Sequence, residues 1–439
     1  MDILIKAAQL ILSLSILVVL HEFGHFLPAK WFKTKVEKFY LFFNPGFSLL
    51  KFKKGETEYG VGWLPLGGYV KIAGMIDESM DKEQMKKPAE PWEFRSKPAW
   101  QRLIIMIGGV TVNLILGFML YAMILAVWGR TYLPAENTKY GVFATELMQT
   151  QGFQDGDLLL KANGEDLESV NQLNKDLLLK DIHEVTVQRA GVMETILIPE
   201  DFGQMMVDSG VKSAFQVRIP AVIDSVMAGT PADSVGLQKG DSLVRVNDLK
   251  SIFFQELAGE INSHPGEEIT VGFYRNDVLD STTVVVSPEG TIGFYPKSPR
   301  NFFEYRTIEY GFFEAIPAGF EYTGEVLNNY VISLKFLFSK SGVQQVGSFL
   351  TIGDLFAPTW DWHSFWEITA FLSLILAVMN ILPIPALDGG HVLFLLYEMI
   401  SGRPPSEKFL ERAQLVGIVI LIGLMLLAIG NDAIRFIFN

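Results

Sequence analysis

The amino-acid sequence predicts a polytopic α-helical membrane protein that also carries a soluble α+β region. Four apolar segments are long enough, or nearly so, to cross a bilayer, which takes about 20 residues each. Charged residues make up 19% of the chain, which is too many for a bundle of membrane helices alone. The stretch between the second and third apolar segments contains an internal repeat, so the aqueous part is expected to be a duplicated domain.

The first apolar segment resembles a cleaved signal peptide, because Lys6 precedes its apolar core. No small-x-small cleavage site follows it, and we therefore expect this segment to be retained. The fourth segment is the shortest. The predicted spans are residues 3–25, 103–128, 368–387 and about 415–429.

Lysine and arginine residues near the span ends predict the orientation of the chain. Residues 28–102 contain 14 Lys and Arg against 9 Asp and Glu, so this loop is expected on the cytoplasmic side. Residues 130–365 contain 17 basic and 32 acidic residues, which fits the opposite side, and both termini then lie outside. The net charge of −13 argues against a nucleic-acid partner, which would require a basic surface.

Three ionisable residues, His21, Glu22 and His25, stand at the end of the first span, where such side chains are costly and are usually functional. They form the pattern H-E-x-x-H. Positions i and i+4 lie on one face of a helix, so both imidazoles can bind one zinc ion while Glu22 acts as a general base. The chain has no cysteine, so any further protein ligand must be a histidine or a carboxylate. The alternative is a chance cluster of polar residues.

Asp388 is the predicted third ligand. Spans one and three run in the same direction, and along straight helices His21 lies about 27 Å from the start of span one and Asp388 about 30 Å from the start of span three. Pro383 and Pro385 interrupt the helix before Asp388, and broken backbone at that depth requires a polar cavity. An interfacial turn at Asp388 is the alternative. We leave His391 out of the ligand set, because a fourth protein ligand would close the open coordination position.

These motifs resemble the site-2 protease family of intramembrane zinc metalloproteases, and within it the bacterial regulator-of-sigma-E protease type. The zinc motif of the family is matched by His21, Glu22 and His25. Its N-x-x-P-x-P-x-L-D-G motif is matched in full from Asn380 to Asp388 and the following glycine, and the G-x-x-x-N of its second span by Gly109 and Asn113.

The resemblance also implies a membrane-reentrant β-element, which corresponds here to residues 57–71 with Pro65, Gly67 and Gly68 at its turn. A peptide bond inside a helix is shielded by its own chain, so a protease of the membrane interior must hold its substrate extended. An exposed strand edge can do this by β-addition. The alternative is an ordinary cytoplasmic hairpin.

The repeat lies in the outer region, where residues 152–163 recur 84 positions later as residues 236–247 and residues 184–187 recur as 268–271. Glycine-aspartate turns enter β-branched strands in both copies. The two copies resemble PDZ domains, at residues 130–219 and 220–299. They are expected either to bind extended peptides or only to shield the active site from bulky substrates. The aromatic-rich residues 300–365 are expected to form amphipathic helices on the outer leaflet.

The expected protein is therefore a zinc endopeptidase with one Zn²⁺, two spans within residues 1–129 and two within residues 366–439. Asn380 and Asn113 are expected to hydrogen-bond the unwound substrate or the backbone of the site. The resemblance implies a monomer in the bacterial inner membrane, with the PDZ-like domains on the periplasmic side and the active site toward the cytoplasm. Substrates would be single-span proteins such as anti-sigma factors or remnant signal peptides. A non-catalytic PDZ scaffold with a relic metal site is the alternative, and a serine intramembrane protease is a weaker one because no G-x-S-G or G-x-S-x-G occurs.

Overall fold

A computed structural model describes residues 2–65, 67–75 and 88–438. The chain divides into two units, one formed by residues 1–129 and 309–439 and the other by Arg130–Ile308. The first unit contains four apolar helices long enough to cross a membrane, at the four predicted places. Their bounds are Asp2–Trp31 (α1), Ala99–Trp128 (α2), Trp362–Ile381 (α11) and Glu407–Phe438 (α13).

The helix of the third predicted span ends at Ile381, because Pro383 and Pro385 stop it, as the sequence predicted. The fourth helix extends well beyond residues 415–429 at both ends, since its polar terminal turns carry no hydropathy signal. The chain between α11 and α13 also forms a helix that the sequence did not predict, α12 at Asp388–Ser401.

Close contact between α1 and α2 depends on two glycines. A Cβ added to Gly24 would lie 2.4 Å from the carbonyl oxygen of Gly108, and one added to Gly108 would lie 2.0 Å from the carbonyl oxygen of Gly24. Small residues let membrane helices approach backbone to backbone. The crossing therefore brings the turn that contains His21 and His25 against α2.

A four-stranded mixed sheet follows α1, with strand order β2-β3-β1-β4. β1 lies between β3, which runs parallel to it, and β4, which runs antiparallel. The alternative of an ordinary hairpin at residues 57–71 is therefore wrong, because β3 and β4 pair with β1 and not with each other. β4 forms one edge of the sheet and β2 the other. The bounds are Val36–Leu41 (β1), Leu50–Lys54 (β2), Thr57–Val61 (β3) and Tyr69–Ile72 (β4).

Residues 309–361 contain three helices that pack within the first unit. The longest, α8, lies along α2, where a Cβ on Gly319 would be 2.7 Å from Cα of Ala122. The segment around α10, residues 343–354, is hydrogen-bonded to α13. Asn431 donates to the carbonyl of Val343, and Asp432 accepts from Ser348 and Thr351. Whether these helices lie on the outer leaflet stays a prediction. The bounds are Ala315–Ser333 (α8), Lys340–Gln345 (α9) and Phe349–Asp354 (α10).

The second unit contains two copies of one strand arrangement. The four-stranded sheets have the orders β10-β9-β7-β8 and β16-β15-β13-β14. Three pairs of corresponding strands begin 84 residues apart, and β10 and β16 begin 86 residues apart. Each copy has its own apolar core. The elements of the first copy are Val142–Ala144 (β6), Glu146–Thr150 (α3), Leu158–Ala162 (β7), Glu165–Asp166 (β8), Val170–Leu179 (α4), Glu184–Arg189 (β9), Val192–Leu197 (β10), Phe202–Asp208 (α5) and Phe215–Val217 (β11). Those of the second are Ile223–Val226 (β12), Pro231–Ser234 (α6), Ser242–Val246 (β13), Leu249–Lys250 (β14), Phe254–Asn262 (α7), Glu268–Arg275 (β15), Val278–Val285 (β16) and Phe294–Pro296 (β17).

The aspartate of each glycine-aspartate turn forms the same buried ion pair. Asp157 binds Arg189, and Asp241 binds Arg275, at 2.8 and 2.6 Å. The hydrogen bond to Asp157 raises the pKa of the Arg189 guanidinium above its usual value. The chain enters and leaves this unit through two paired strands, Arg130–Tyr132 (β5) and Arg306–Ile308 (β18).

Candidate metal centre

His21 and His25 lie one helical turn apart on α1, and their imidazoles converge. Their Nε2 atoms are 3.2 Å apart, and the two rings are nearly perpendicular, at 79°. Both side chains are largely buried, with exposed fractions of 13% and 9%. The i, i+4 spacing of the motif thus places two nitrogen donors at one point beside the crossing of α1 and α2.

Asp388 reaches the same point from the first turn of α12. Its Oδ2 atom is 3.3 Å from Nε2 of His21 and 3.3 Å from Nε2 of His25. Ala386, two residues earlier, has a φ of +84°, a conformation that is uncommon for a residue other than glycine. The helix N-terminus favours a carboxylate at this position because its free N–H groups carry partial positive charge. A sharply bent loop, rather than a continuous helix, therefore delivers Asp388 to the histidines.

The spacing of the three donor atoms fits a tetrahedral zinc site. Ligands about 2.0–2.1 Å from a zinc ion are separated from each other by roughly 3.3–3.4 Å in a regular tetrahedron. The three distances observed are 3.2, 3.3 and 3.3 Å. Oδ2 of Asp388 is buried and has no hydrogen-bond partner among the described residues, as expected for an atom that ligates a metal. These three residues are the group of potential metal ligands found in the described part of the chain.

The other nitrogen of each imidazole is held by a residue of α2. Nδ1 of His25 lies 2.8 Å from the carbonyl oxygen of Ile105, which can only accept a hydrogen bond, so Nδ1 carries the proton. In the neutral imidazole of His25, Nε2 is then unprotonated and available to a metal. Nδ1 of His21 lies 3.2 Å from Nδ2 of Asn113. Asn113 thus contacts the side chain of His21, whereas the sequence had suggested the substrate or the backbone.

A cavity of about 640 Å³ opens beside the three donor atoms. Glu22 lines it, and a Cβ on Gly68 would lie 3.3 Å from Cγ of Glu22, so the start of β4 passes close to this carboxylate. The cavity is also lined by the predicted site residues Pro65, Gly67, Gly68 and Asn380. Asn113 is absent from its lining.

Several residues that line the cavity belong to no motif and were missed, and two of them come from helices distant in sequence. Phe349, from α10, and Gln414, from α13, both line the cavity although they lie far from the motifs in sequence. Gln414 lies just before the predicted fourth span, so only the longer observed helix makes it a polar residue of a membrane-length helix. His391 also lines the cavity but does not belong to the group of three donors.

Two imidazole nitrogens and one carboxylate are buried among helices long enough to cross a membrane, and a glutamate lies beside them. This combination defines the class of membrane-embedded metallopeptidases. Residues 9–424 match the model of peptidase family M50, and the chain belongs to this family.

Named relatives align with this chain over nearly its whole length. A protein of Vibrio cholerae, provisionally named a zinc metalloprotease, is 30% identical over 99% of both chains. The regulator of sigma E protease of Haemophilus influenzae is 27% identical over 99% of this chain and 100% of its own. The protease RseP of Yersinia pestis is 26% identical over the same shares. The protein is accordingly a zinc metalloprotease, and its four membrane-length helices make it a multi-pass membrane protein.

Proposed function

We propose that the chain cuts single-span membrane proteins within the bilayer, with His21, His25 and Asp388 as the zinc ligands and Glu22 as the proton carrier. The observation that carries this proposal is the donor triangle, whose sides of 3.2–3.3 Å match tetrahedral zinc ligation. Glu22 lines the cavity beside this triangle, as a general base requires.

Zinc, when bound, supplies Lewis acidity that polarises the scissile carbonyl and makes a water molecule more acidic. Glu22 takes the proton from the attacking water and later gives it to the leaving nitrogen. The two imidazoles hold their positions during these proton transfers, because each is fixed through Nδ1 by a residue of α2.

The substrate is proposed to bind as an extended strand along β4. This strand is an edge of its sheet, and Gly68 and Tyr69 line the cavity beside Glu22. A peptide that adds to the edge of a sheet is held extended by its backbone pairing with the edge strand. Asn380, which also lines the cavity, supplies amide groups that can hydrogen-bond the peptide. Pro65 and Gly67, which precede β4 in the sequence, also line the cavity.

The two repeats of the second unit are proposed to be PDZ-like domains that filter substrates on the periplasmic side of a bacterial inner membrane. The excess of acidic residues in 130–365 supports this side, and the excess of basic residues in 28–102 supports a cytoplasmic active site. Named relatives regulate sigma E, which supports anti-sigma-factor-like substrates, with remnant signal peptides as a second class. The cut would release a fragment to the cytoplasm, and the enzyme is proposed to act as a monomer.

Three variants test the ligand set and the base separately. Asp388→Ala is expected to lower zinc occupancy as far as His21→Ala does, measured by metal analysis of purified protein. Glu22→Gln is expected to keep its zinc and to lose cleavage of a single-span substrate. Full zinc occupancy in Asp388→Ala would remove this residue from the ligand set and favour His391. A zinc-loaded parent protein that cuts no single-span substrate would favour the alternative, a non-catalytic PDZ scaffold.

A further inference from the structure

Asn113 is a buried polar residue in the middle of a membrane helix, and its contacts point to a role at His21. It is 0% exposed and lies one helical turn after Gly109 on α2. Its Nδ2 atom is 3.2 Å from Nδ1 of His21. Because it does not line the cavity, it has no route to a substrate bound there.

The two histidines differ in how their protonation is determined. The partner of His25 Nδ1 is the carbonyl oxygen of Ile105, which can only accept, so a neutral His25 presents Nε2 unprotonated. The partner of His21 is an amide, which can donate through Nδ2 or accept through Oδ1. If Nδ2 donates to Nδ1, the proton of His21 lies on Nε2, and that nitrogen is closed to a metal.

The amide of Asn113 can present either of its two polar atoms to His21. Oδ1 of Asn113 is buried and has no hydrogen-bond partner in the described part of the chain. Rotating the amide by 180° exchanges Oδ1 and Nδ2 almost without moving other atoms, since the two are nearly the same size. Oδ1 then lies beside Nδ1 of His21 and accepts its proton, which leaves Nε2 free to point at Asp388.

We propose that Asn113 is the positioning residue of His21, whose amide oxygen accepts the Nδ1 proton and so holds the imidazole in the tautomer that binds metal through Nε2. This inference rests on the proposed function, in which His21 is a ligand. An outer partner of this kind fixes both the tautomer and the orientation of a ligating histidine. The backbone of Asn113 is itself anchored, because Ser373 of α11 donates to its carbonyl oxygen at 2.7 Å.

The test compares acceptors at position 113 in the full-length protein. Asn113→Asp keeps an oxygen for Nδ1, whereas Asn113→Leu has a similar size and no hydrogen bond. We expect the zinc affinity of Asn113→Leu, measured by competition with a chelator, to fall about 10- to 100-fold, and that of Asn113→Asp to stay near the parent. Asn113→Ala gives the same comparison if the leucine variant does not fold.

A matched control separates this role from a general loss of helix packing. Thr369→Val removes a buried hydrogen bond from Thr369 to Ser13 in the same helix bundle without touching either histidine. Its zinc affinity should equal that of the parent. Nitrogen-15 shifts of labelled histidine should also show His21 protonated on Nδ1 in the parent and the aspartate variant, and a mixture of tautomers in the leucine variant.

Two results would overturn the proposal. Zinc affinity in Asn113→Leu or Asn113→Ala within about twofold of Thr369→Val would show that His21 needs no acceptor here. An equal loss of zinc affinity in the aspartate and leucine variants would show that the amide of Asn113 acts through packing. Failure of the ligand assignment is distinguishable, because His21→Ala would then keep its zinc, whereas failure of this inference alone leaves His21→Ala depleted.

Discussion

Gly109 lies so close to His25 that a Cβ added to this glycine would be 2.4 Å from Nε2 of the imidazole. The same Cβ would lie 2.7 Å from Cε1 of His21. Real Cβ contacts do not reach such distances, so α2 can pass the two histidines only where it carries a hydrogen in place of a side chain.

We therefore predict that Gly109→Ala displaces both imidazoles and lowers zinc affinity by about tenfold or more. Gly423→Ala is the control: it also adds a methyl group to a membrane helix, but at a position with open space around it. That control should bind zinc as the parent does. Unchanged zinc affinity in Gly109→Ala would show that α2 can move away from the site at little cost.

Proline substitutions test whether β4 binds the substrate. Val70→Pro and Lys71→Pro each remove one N–H of this edge strand, and two neighbouring positions are needed because successive N–H groups point to opposite sides. We expect at least one of them to reduce cleavage about tenfold or more while zinc stays bound. Lys51→Pro and Phe52→Pro, on the opposite edge of the same sheet, serve as controls. Equal cleavage rates for both pairs would contradict substrate binding at β4.

Asp432→Ala should release the segment around α10 from α13. The carboxylate accepts hydrogen bonds from the backbone and side chain of both Ser348 and Thr351, and the substitution leaves these donors unpaired. We expect the free energy of unfolding to fall by about 1–3 kcal/mol. The KM for substrate should also change, because Phe349 of this segment lines the cavity.

Asp354→Asn is the control for the Asp432 variant. Asp354 forms an exposed ion pair with Lys6, and removing such a pair costs at most about 1 kcal/mol. Chemical unfolding in detergent micelles measures both variants. A loss of stability in Asp432→Ala no larger than that in Asp354→Asn would mean that the segment is held by other contacts.

Removal of the second unit tests substrate filtering. Ile308 pairs with Arg130 across β18 and β5, and paired Cα atoms of antiparallel strands lie about 4.5–5.5 Å apart, so a Gly/Ser linker of about four residues can join Gly129 to Glu309. The donor triangle, Glu22 and every residue that lines the cavity remain. We expect zinc binding and cleavage of short-ectodomain substrates to persist, and substrates with folded ectodomains to be accepted as well.

Two outcomes of the removal experiment would contradict filtering by the repeats. A zinc-loaded, folded protein that cuts nothing would show that the repeats capture substrate instead. Cleavage of short substrates with continued rejection of bulky ones would place the selection in the first unit, and residues 309–361 would then be the region to vary.

Local sequence determined much of the architecture. The four spans follow from hydropathy because a helix in lipid needs an apolar surface along its whole length, and this requirement leaves a readable signal. The duplication is visible because both copies use the same glycine-aspartate turn, whose aspartate pairs with an arginine in each copy. The metal-binding motif is also local, since two histidines one turn apart must share a face of their helix.

Tertiary structure alone decided how the site is completed. The sequence predicted a break in the helix before Asp388, but only the structure shows that a bent loop with Ala386 at positive φ delivers the carboxylate to the histidines. The contact of Asn113 with His21 depends on where α2 crosses α1, and Phe349 and Gln414 enter the cavity from distant helices. Hydropathy and spacing report the length and depth of a helix, but its rotation and crossing point are set by backbone contacts such as Gly24 with Gly108, which no local pattern encodes.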